Sequence, residues 1–200
     1  MSVVRLNRNF YLRPTLDVAR ELLGKVFVYR DKQLLSGRIV EVEAYIGQDD
    51  PACHARFGKT SRNAVMFGQG GFTYVYFIYG MYDMLNFVCE REGFPAACLV
   101  RALEPLEGIE LMKKRRGTDD IVRLTSGPGK LTRAFGLTVA QSGLDLVSDG
   151  IYVADDGFVP DKIGQSPRIG IKTGLDLKWR FFIEGNKFVS KVKTVQTSDG

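Results

Sequence analysis

The chain has 200 residues, 44% hydrophobic and 26% charged, with 28 Lys and Arg against 23 Asp and Glu for a formal charge of +5. Such a length can bury roughly 70% of the unfolded surface in one ordinary soluble domain, with no need of disulfides or metals. Three cysteines without a C-x-x-C pair argue against a disulfide scaffold, and a single histidine, His54, argues against a histidine-built metal centre. We therefore expect no metal and no cofactor, and any chemistry falls to carboxylates, tyrosines and one imidazole.

The start, MSVVRLNRNFYLR, carries basic residues too early and lacks the sustained apolar run of a secretory signal. No stretch approaches the roughly 18 apolar residues of a membrane span. Free cysteines suit a reducing cytoplasm, which is the expected compartment. Residues 15–23 predict a helix: Thr15 can cap it, Val18, Leu22 and Leu23 share a face, and Gly24 stops it. Residues 25–29 and 36–46 predict strands joined by a hairpin connection at 30–35. The run FTYVYFIY at 72–79, ending at Gly80, and the apolar run 96–103 predict two more strands. Pro105 is expected to open a helix, PLEGIELMKKRR, with its cationic end toward the helix C-terminus. Residues 127–135 predict another helix ended by Gly136, and 150–154, 168–171 and 179–183 predict strands. The alternation is irregular rather than strand–helix repeating. It implies a mixed α+β fold, one domain over residues 1–193, with a largely antiparallel sheet and flanking helices. A polar tail, 194–200, has nothing to pack and is expected to be disordered.

Five places carry groups capable of chemistry. In GRIVEVEAYIG, period-two alternation puts Val40, Val42, Ala44 and Ile46 on one face and Glu41, Glu43 and Tyr45 on the other. The Glu41 and Glu43 Cα atoms then stand about 6.6 Å apart. Either this is a solvent-facing strand side, or the local conflict of two acids in a β-prone run marks a functional pair. His54 lies in DDPACHARFGKTSRN, a loop whose Asp49, Asp50, Arg56, Lys59 and Arg62 are solvated or approach a phosphate backbone.

Tyr74, Tyr76, Tyr79 and Tyr82 fall within nine residues, the first two on one strand face and Tyr79 at the tip of a turn. As core aromatics each would need a partner for its hydroxyl; as a surface they suit stacking on nucleic-acid bases. Arg101 sits in the apolar ACLVRALEP, where an unpaired guanidinium is costly, so it must pair with Glu41, Glu43 or Glu104. In TSGPGKL a Gly-rich backbone beside Lys130 at a helix start suits an anion, without the spacing of a nucleotide P-loop.

Together, GRIVEVEAYIG, PACHARFGKTSRNAVMF, YVYFIYGMYDMLN, LVRALEPLEG, LTSGPGKL, RIGI and WRFFIEG resemble the alkyladenine (3-methyladenine) DNA glycosylases of bacteria and mammals. The resemblance runs in order to about residue 190. It implies a curved antiparallel sheet with a protruding β-hairpin. It also implies a monofunctional glycosylase of base excision repair that flips and hydrolyses alkylated purines, 3-methyladenine and 7-methylguanine among them, with hypoxanthine and ethenoadenine as further substrates. Glu43 matches the general base that activates water, and Arg101 the arginine that helps hold that water. Tyr45, His54 and Tyr76 match the walls of the base pocket, and Asn86 the asparagine that discourages guanine. Tyr79 matches the side chain inserted through the minor groove. The implied partner is double-stranded DNA with alkylated or deaminated purines, bound by a monomer in the cytoplasm or on the nucleoid, with no membrane. A neighbouring Arg101 is expected to hold the Glu43 pKa down. Asp83, after the GMY turn, departs from what a DNA-facing surface prefers. Two other classes fit the residues alone: a carbohydrate glycosidase using Glu41 and Glu43 as paired acids, and a non-catalytic module that binds damaged DNA.

Overall fold

A computed structural model describes residues 3–191 of the chain, so the expected tail lies outside the described residues. The elements in order are β1 (Val4–Arg5), α1 (Arg8–Tyr11), α2 (Thr15–Leu22), β2 (Val26–Arg30), β3 (Leu34–Ile46), β4 (Thr73–Ile78), β5 (Tyr82–Val88) and β6 (Ala96–Glu107). They continue with α3 (Ile109–Arg116), α4 (Val122–Thr125), α5 (Pro128–Phe135), β7 (Ile151–Asp155), β8 (Ile163–Ser166) and β9 (Arg180–Ile183). Every strand pairing is antiparallel, in the order β1-β7-β2-β3-β6-β5-β4, with β9 also on β3 and β8 on β9. This is the open antiparallel sheet with a few helices that the pattern predicts.

The main core lies on one face, where Val40, Val42 and Ala44 of β3 meet Val100 of β6, Leu22 of α2 and Phe135 of α5. A smaller cluster of Cys53, Ala55, Met66, Tyr74, Val88 and Ala97 lies on the other, under the connection between β3 and β4. The acidic side of β3 is buried as well: Glu41 and Glu43 have 0% exposure. The solvent-facing account of the two acids is therefore excluded.

Two local expectations are corrected, and one strand is unexpected. The helix expected from Pro105 begins only at Ile109, because β6 runs on to Glu107 and Pro105 pairs with Gly37 of β3. The proline is tolerated there because β5 pairs β6 only at Leu99, Cys98 and Ala97, leaving the far end of β6 free of a ladder on that side. Residues 168–171 are not a strand but a loop. Strand β5 has no sequence signal of its own: YDMLNFV mixes polar and apolar residues without alternation, and pairing with β4 and β6 decides its conformation.

Three irregularities interrupt the β3–β6 ladder, one at Ser36/Gly37 and two that flank Glu41. The register passes from Ile39↔Leu103 to Glu41↔Ala102 and then to Val42↔Val100, so Val40 and Arg101 are left without a direct partner. Such bulges re-aim side chains and recur beside functional sites. Here they bring Arg101 to the same side as Glu41 and Glu43.

Candidate active site

Above the second layer opens a pocket of about 320 Å³. Its wall takes Tyr45 from β3, His54 and Met66 from the β3–β4 connection, Tyr74 and Tyr76 from β4, and Asn86 from β5. Leu99 and Arg101 of β6, Pro128 of α5 and the loop Ile169–Gly170–Ile171 close it. Of the seven residues singled out in the sequence, six line this pocket. The seventh, Glu43, lies immediately behind the lining, bonded to three groups that belong to it.

Those bonds define the floor. Glu43 Oε1 accepts the Ile169 backbone N–H at 2.6 Å and lies 3.2 Å from Arg101 Nη1, and Glu43 Oε2 accepts the Tyr45 hydroxyl at 2.9 Å. Burial is the largest influence on the Glu43 pKa and drives it up, while Arg101, the Ile169 N–H and Tyr45 pull it down. The net direction is upward. The expectation that Arg101 holds it below the ordinary value is thus corrected: full desolvation outweighs one guanidinium.

Glu41 plays a different part. Its Oε1 accepts from Arg101 Nε at 2.9 Å and Arg180 Nε at 2.7 Å, and its Oε2 from the Ser190 amide at 2.7 Å and hydroxyl at 2.5 Å. With both oxygens doubly engaged it has no free lone pair for a substrate. It anchors Arg101, and a paired-carboxylate glycosidase loses its second acid. Glu104, the third partner considered for Arg101, accepts from Asn186 instead.

The walls are aromatic. His54 meets Tyr76 edge-on at 4.4 Å between centroids, and Tyr74 and Tyr76 stand 5.3 Å apart. His54 Nδ1 lies 3.1 Å from the Tyr74 hydroxyl. Desolvation first, and Arg62 second, lower the His54 pKa, so the imidazole is neutral at pH 7. Burial raises the Tyr45 and Tyr76 pKa values and pushes Tyr74 to about 12, so all three phenols keep their protons. Asn86 is buried and donates its amide to the Tyr74 and Met84 carbonyls at 3.0 and 3.2 Å. That fixes the amide and leaves its Oδ1 without an internal donor among the described residues.

At the rim, β4 and β5 form a hairpin whose turn runs Ile78-Tyr79-Gly80-Met81, closed by the Met81 N–H on the Ile78 carbonyl at 3.3 Å. Tyr79 and Gly80 both have positive φ, 55° and 69°, the signature of a type I′ turn. Tyr79 lines the pocket mouth yet is 71% exposed, and Phe77, Met81 and Tyr82 are exposed beside it.

Sequence reasoning missed the support beneath this floor. Arg168 is buried, doubly bonded to Asp50 at 2.6 and 2.7 Å and to the Ala44 carbonyl at 2.9 Å, with its guanidinium between the Tyr45 and Trp179 rings. It ties down the loop that delivers the Ile169 N–H. Asp50 and Arg168 are 118 positions apart, and nothing local in either segment announces the pair. Among the described residues no three His, Cys, Asp or Glu side chains converge on a potential metal position, and no helix is long and apolar enough to cross a membrane.

Comparison with known proteins bears on the chain as a whole. A family model described as methylpurine-DNA glycosylase matches residues 9–187. A protein of Chlorobaculum tepidum is 49% identical over 94% of this chain and 92% of its own length, and one of Methanocella arvoryzae is 50% identical over 93% and 96%. A third, of Burkholderia lata, is 47% identical over 92% and 90%. All three are named as 3-methyladenine DNA glycosylases.

Proposed function

Because the chain belongs to the methylpurine-DNA glycosylase family, we propose that it excises alkylated purines, 3-methyladenine and 7-methylguanine among them, by flipping the nucleotide out of duplex DNA and hydrolysing its glycosidic bond with a water activated by Glu43. The observation that carries this reading is the placement of Glu43 and Arg101 together beneath an aromatic pocket of purine dimensions.

Chemistry on a stacked base requires its extrusion, at a cost of a few kcal/mol. Tyr79, exposed on a turn at the pocket mouth, fills the gap left in the stack and offsets part of that cost. The flipped base lies among Tyr45, His54 and Tyr76, whose electron-rich faces attract a cationic alkylpurine by about 0.5–2 kcal/mol. Asn86 offers a fixed amide edge that crowds the exocyclic amine of guanine.

Glu43 Oε2 has one internal donor and so retains a lone pair for a water. That water adds to the anomeric carbon as the bond to the purine nitrogen breaks. Its proton passes to Glu43, and the electron pair of the broken bond goes to the purine. For a cationic base that pair neutralises the ring, so no acid is required. The products are a free base and an abasic site, with the strand intact. Among the described residues no lysine lines the pocket, so no Schiff base forms. Hypoxanthine and ethenoadenine, being neutral, demand leaving-group protonation and are the slower substrates.

The test is chromatography of a methylated duplex after incubation. Free 3-methyladenine should appear, with no protein–DNA adduct on borohydride treatment. A trapped adduct, or bound DNA without base release, contradicts the reading.

A further inference from the structure

Between β8 and β9, residues 167–179 form no helix or strand, so the position of the Ile169 amide rests on a few anchors. Thr173 supplies one, bonding the Pro51 carbonyl at 3.0 Å. Arg168, next to Ile169 in the chain, supplies three, on the Ala44 carbonyl and on both oxygens of Asp50. Arg168 and Asp50 are 3% and 2% exposed, and the two-pronged pairing fixes the plane of the guanidinium. Asp50 is itself held, accepting the Ile46 amide at 3.2 Å and the Ala52 amide at 3.0 Å. The pair therefore fastens the loop to the end of β3.

The same guanidinium stacks. Its central carbon lies 4.6 Å from the Tyr45 ring centroid and 5.2 Å from that of Trp179. Tyr45 lines the pocket and Arg168 does not, so the guanidinium backs the ring from outside the pocket. One side chain thus sets two of the three donors that reach Glu43: the Ile169 N–H beside it and the hydroxyl of the ring it supports. The third donor, Arg101, is fixed separately by Glu41.

We propose that Arg168 is a positioning residue for Glu43, holding both donors within hydrogen-bond distance of the carboxylate while touching no substrate itself. The inference rests on the reading of Glu43 as general base and deepens it. The other groups that face Glu43 are Glu41 on its own strand, which raises its pKa, Arg101 from β6, which lowers it, and Tyr76 from β4. None of these is bonded to Arg168 among the described residues.

The experiment follows single-turnover release of 3-methyladenine against pH in wild type and Arg168→Lys. Lysine keeps the positive charge but loses the fork and the flat stacking surface, so it separates placement from field. Both donors favour the ionised carboxylate and pull its pKa down. As they drift, that pKa rises, the ionised base is lost at higher pH, and the acid limb moves up. Loss of one such bond corresponds to a shift of about one pH unit. A merely structural role would lower the melting temperature and leave the midpoint in place. In a Glu43→Gln background, Arg168→Lys should change the residual rate by less than about twofold, because it acts through the carboxylate. Where Arg168→Lys does not fold, Trp179→Phe decides alone. It loosens one side of the stack, spares the ion pair, and should move the limb the same way by a smaller amount. A midpoint unmoved in the folded variant, or a Glu43→Gln rate lowered as strongly as that of wild type, overturns the proposal. Excision by Glu43→Gln at the wild-type rate overturns the parent reading and this one with it.

Discussion

The carboxylate proposed as the general base has no exposed surface, and its ionisation depends on its neighbours. Glu43 has three donors, Ile169 N–H, Arg101 and Tyr45, yet burial still lifts its pKa. A raised pKa means that the carboxylate takes up its proton at a higher pH than an ordinary glutamate, near 4.3 in a free peptide. In the proposed mechanism base release needs the ionised form. The acid limb of kcat/KM should therefore fall above that value as pH decreases, and His54, its pKa lowered and its ring already neutral, should add no second limb near 7. A pH profile of single-turnover excision checks this; a limb at or below the ordinary glutamate value would contradict it. At this scale the sequence is informative about which groups matter but not about their balance. Alternation puts Glu41 and Glu43 side by side, but their division of labour comes from Arg180 and Ser190, which approach Glu41 from far along the chain.

The elements show where local pattern suffices and where it fails. Strands β3 and β4 are legible from alternation and β-branched or aromatic content. The exit of β6 through Pro105 is not, because a proline suits a helix start as readily as a strand end with no second ladder. The β4–β5 turn is under backbone strain. Tyr79 holds φ at 55°, a region that disfavours most L side chains by roughly 1 kcal/mol. A bulky ring kept there against local preference is a mark of function. Tyr79→Asn creates Asn-Gly, the favoured type I′ pair. It should stabilise the chain by about 1 kcal/mol, a rise in Tm of about 2–4 °C. The same change should weaken binding to an abasic duplex about tenfold, within the range of base–aromatic stacking. Thermal melting and a binding isotherm test both halves, and an unchanged affinity would remove the wedge role.

Across the whole molecule the site is a product of convergence. β3 brings Glu43, β6 brings Arg101 through a bulge, and the Ile169 loop supplies an amide held by Arg168 and Asp50. The Glu43–Ile169 and Asp50–Arg168 contacts join segments more than a hundred positions apart, which is why periodicity finds the strands and misses the Arg168 support. The chain's single histidine stands in the aromatic wall, 3.1 Å from the Tyr74 hydroxyl. The central claim is that Glu43 supplies the base for hydrolysis. It is tested most directly by single-turnover release of 3-methyladenine from a methylated duplex, comparing wild type with Glu43→Gln at matched, saturating occupancy. The account predicts a rate about 10²–10⁴-fold lower for the variant, with lesion-duplex binding retained. Excision by Glu43→Gln at the wild-type rate would contradict it.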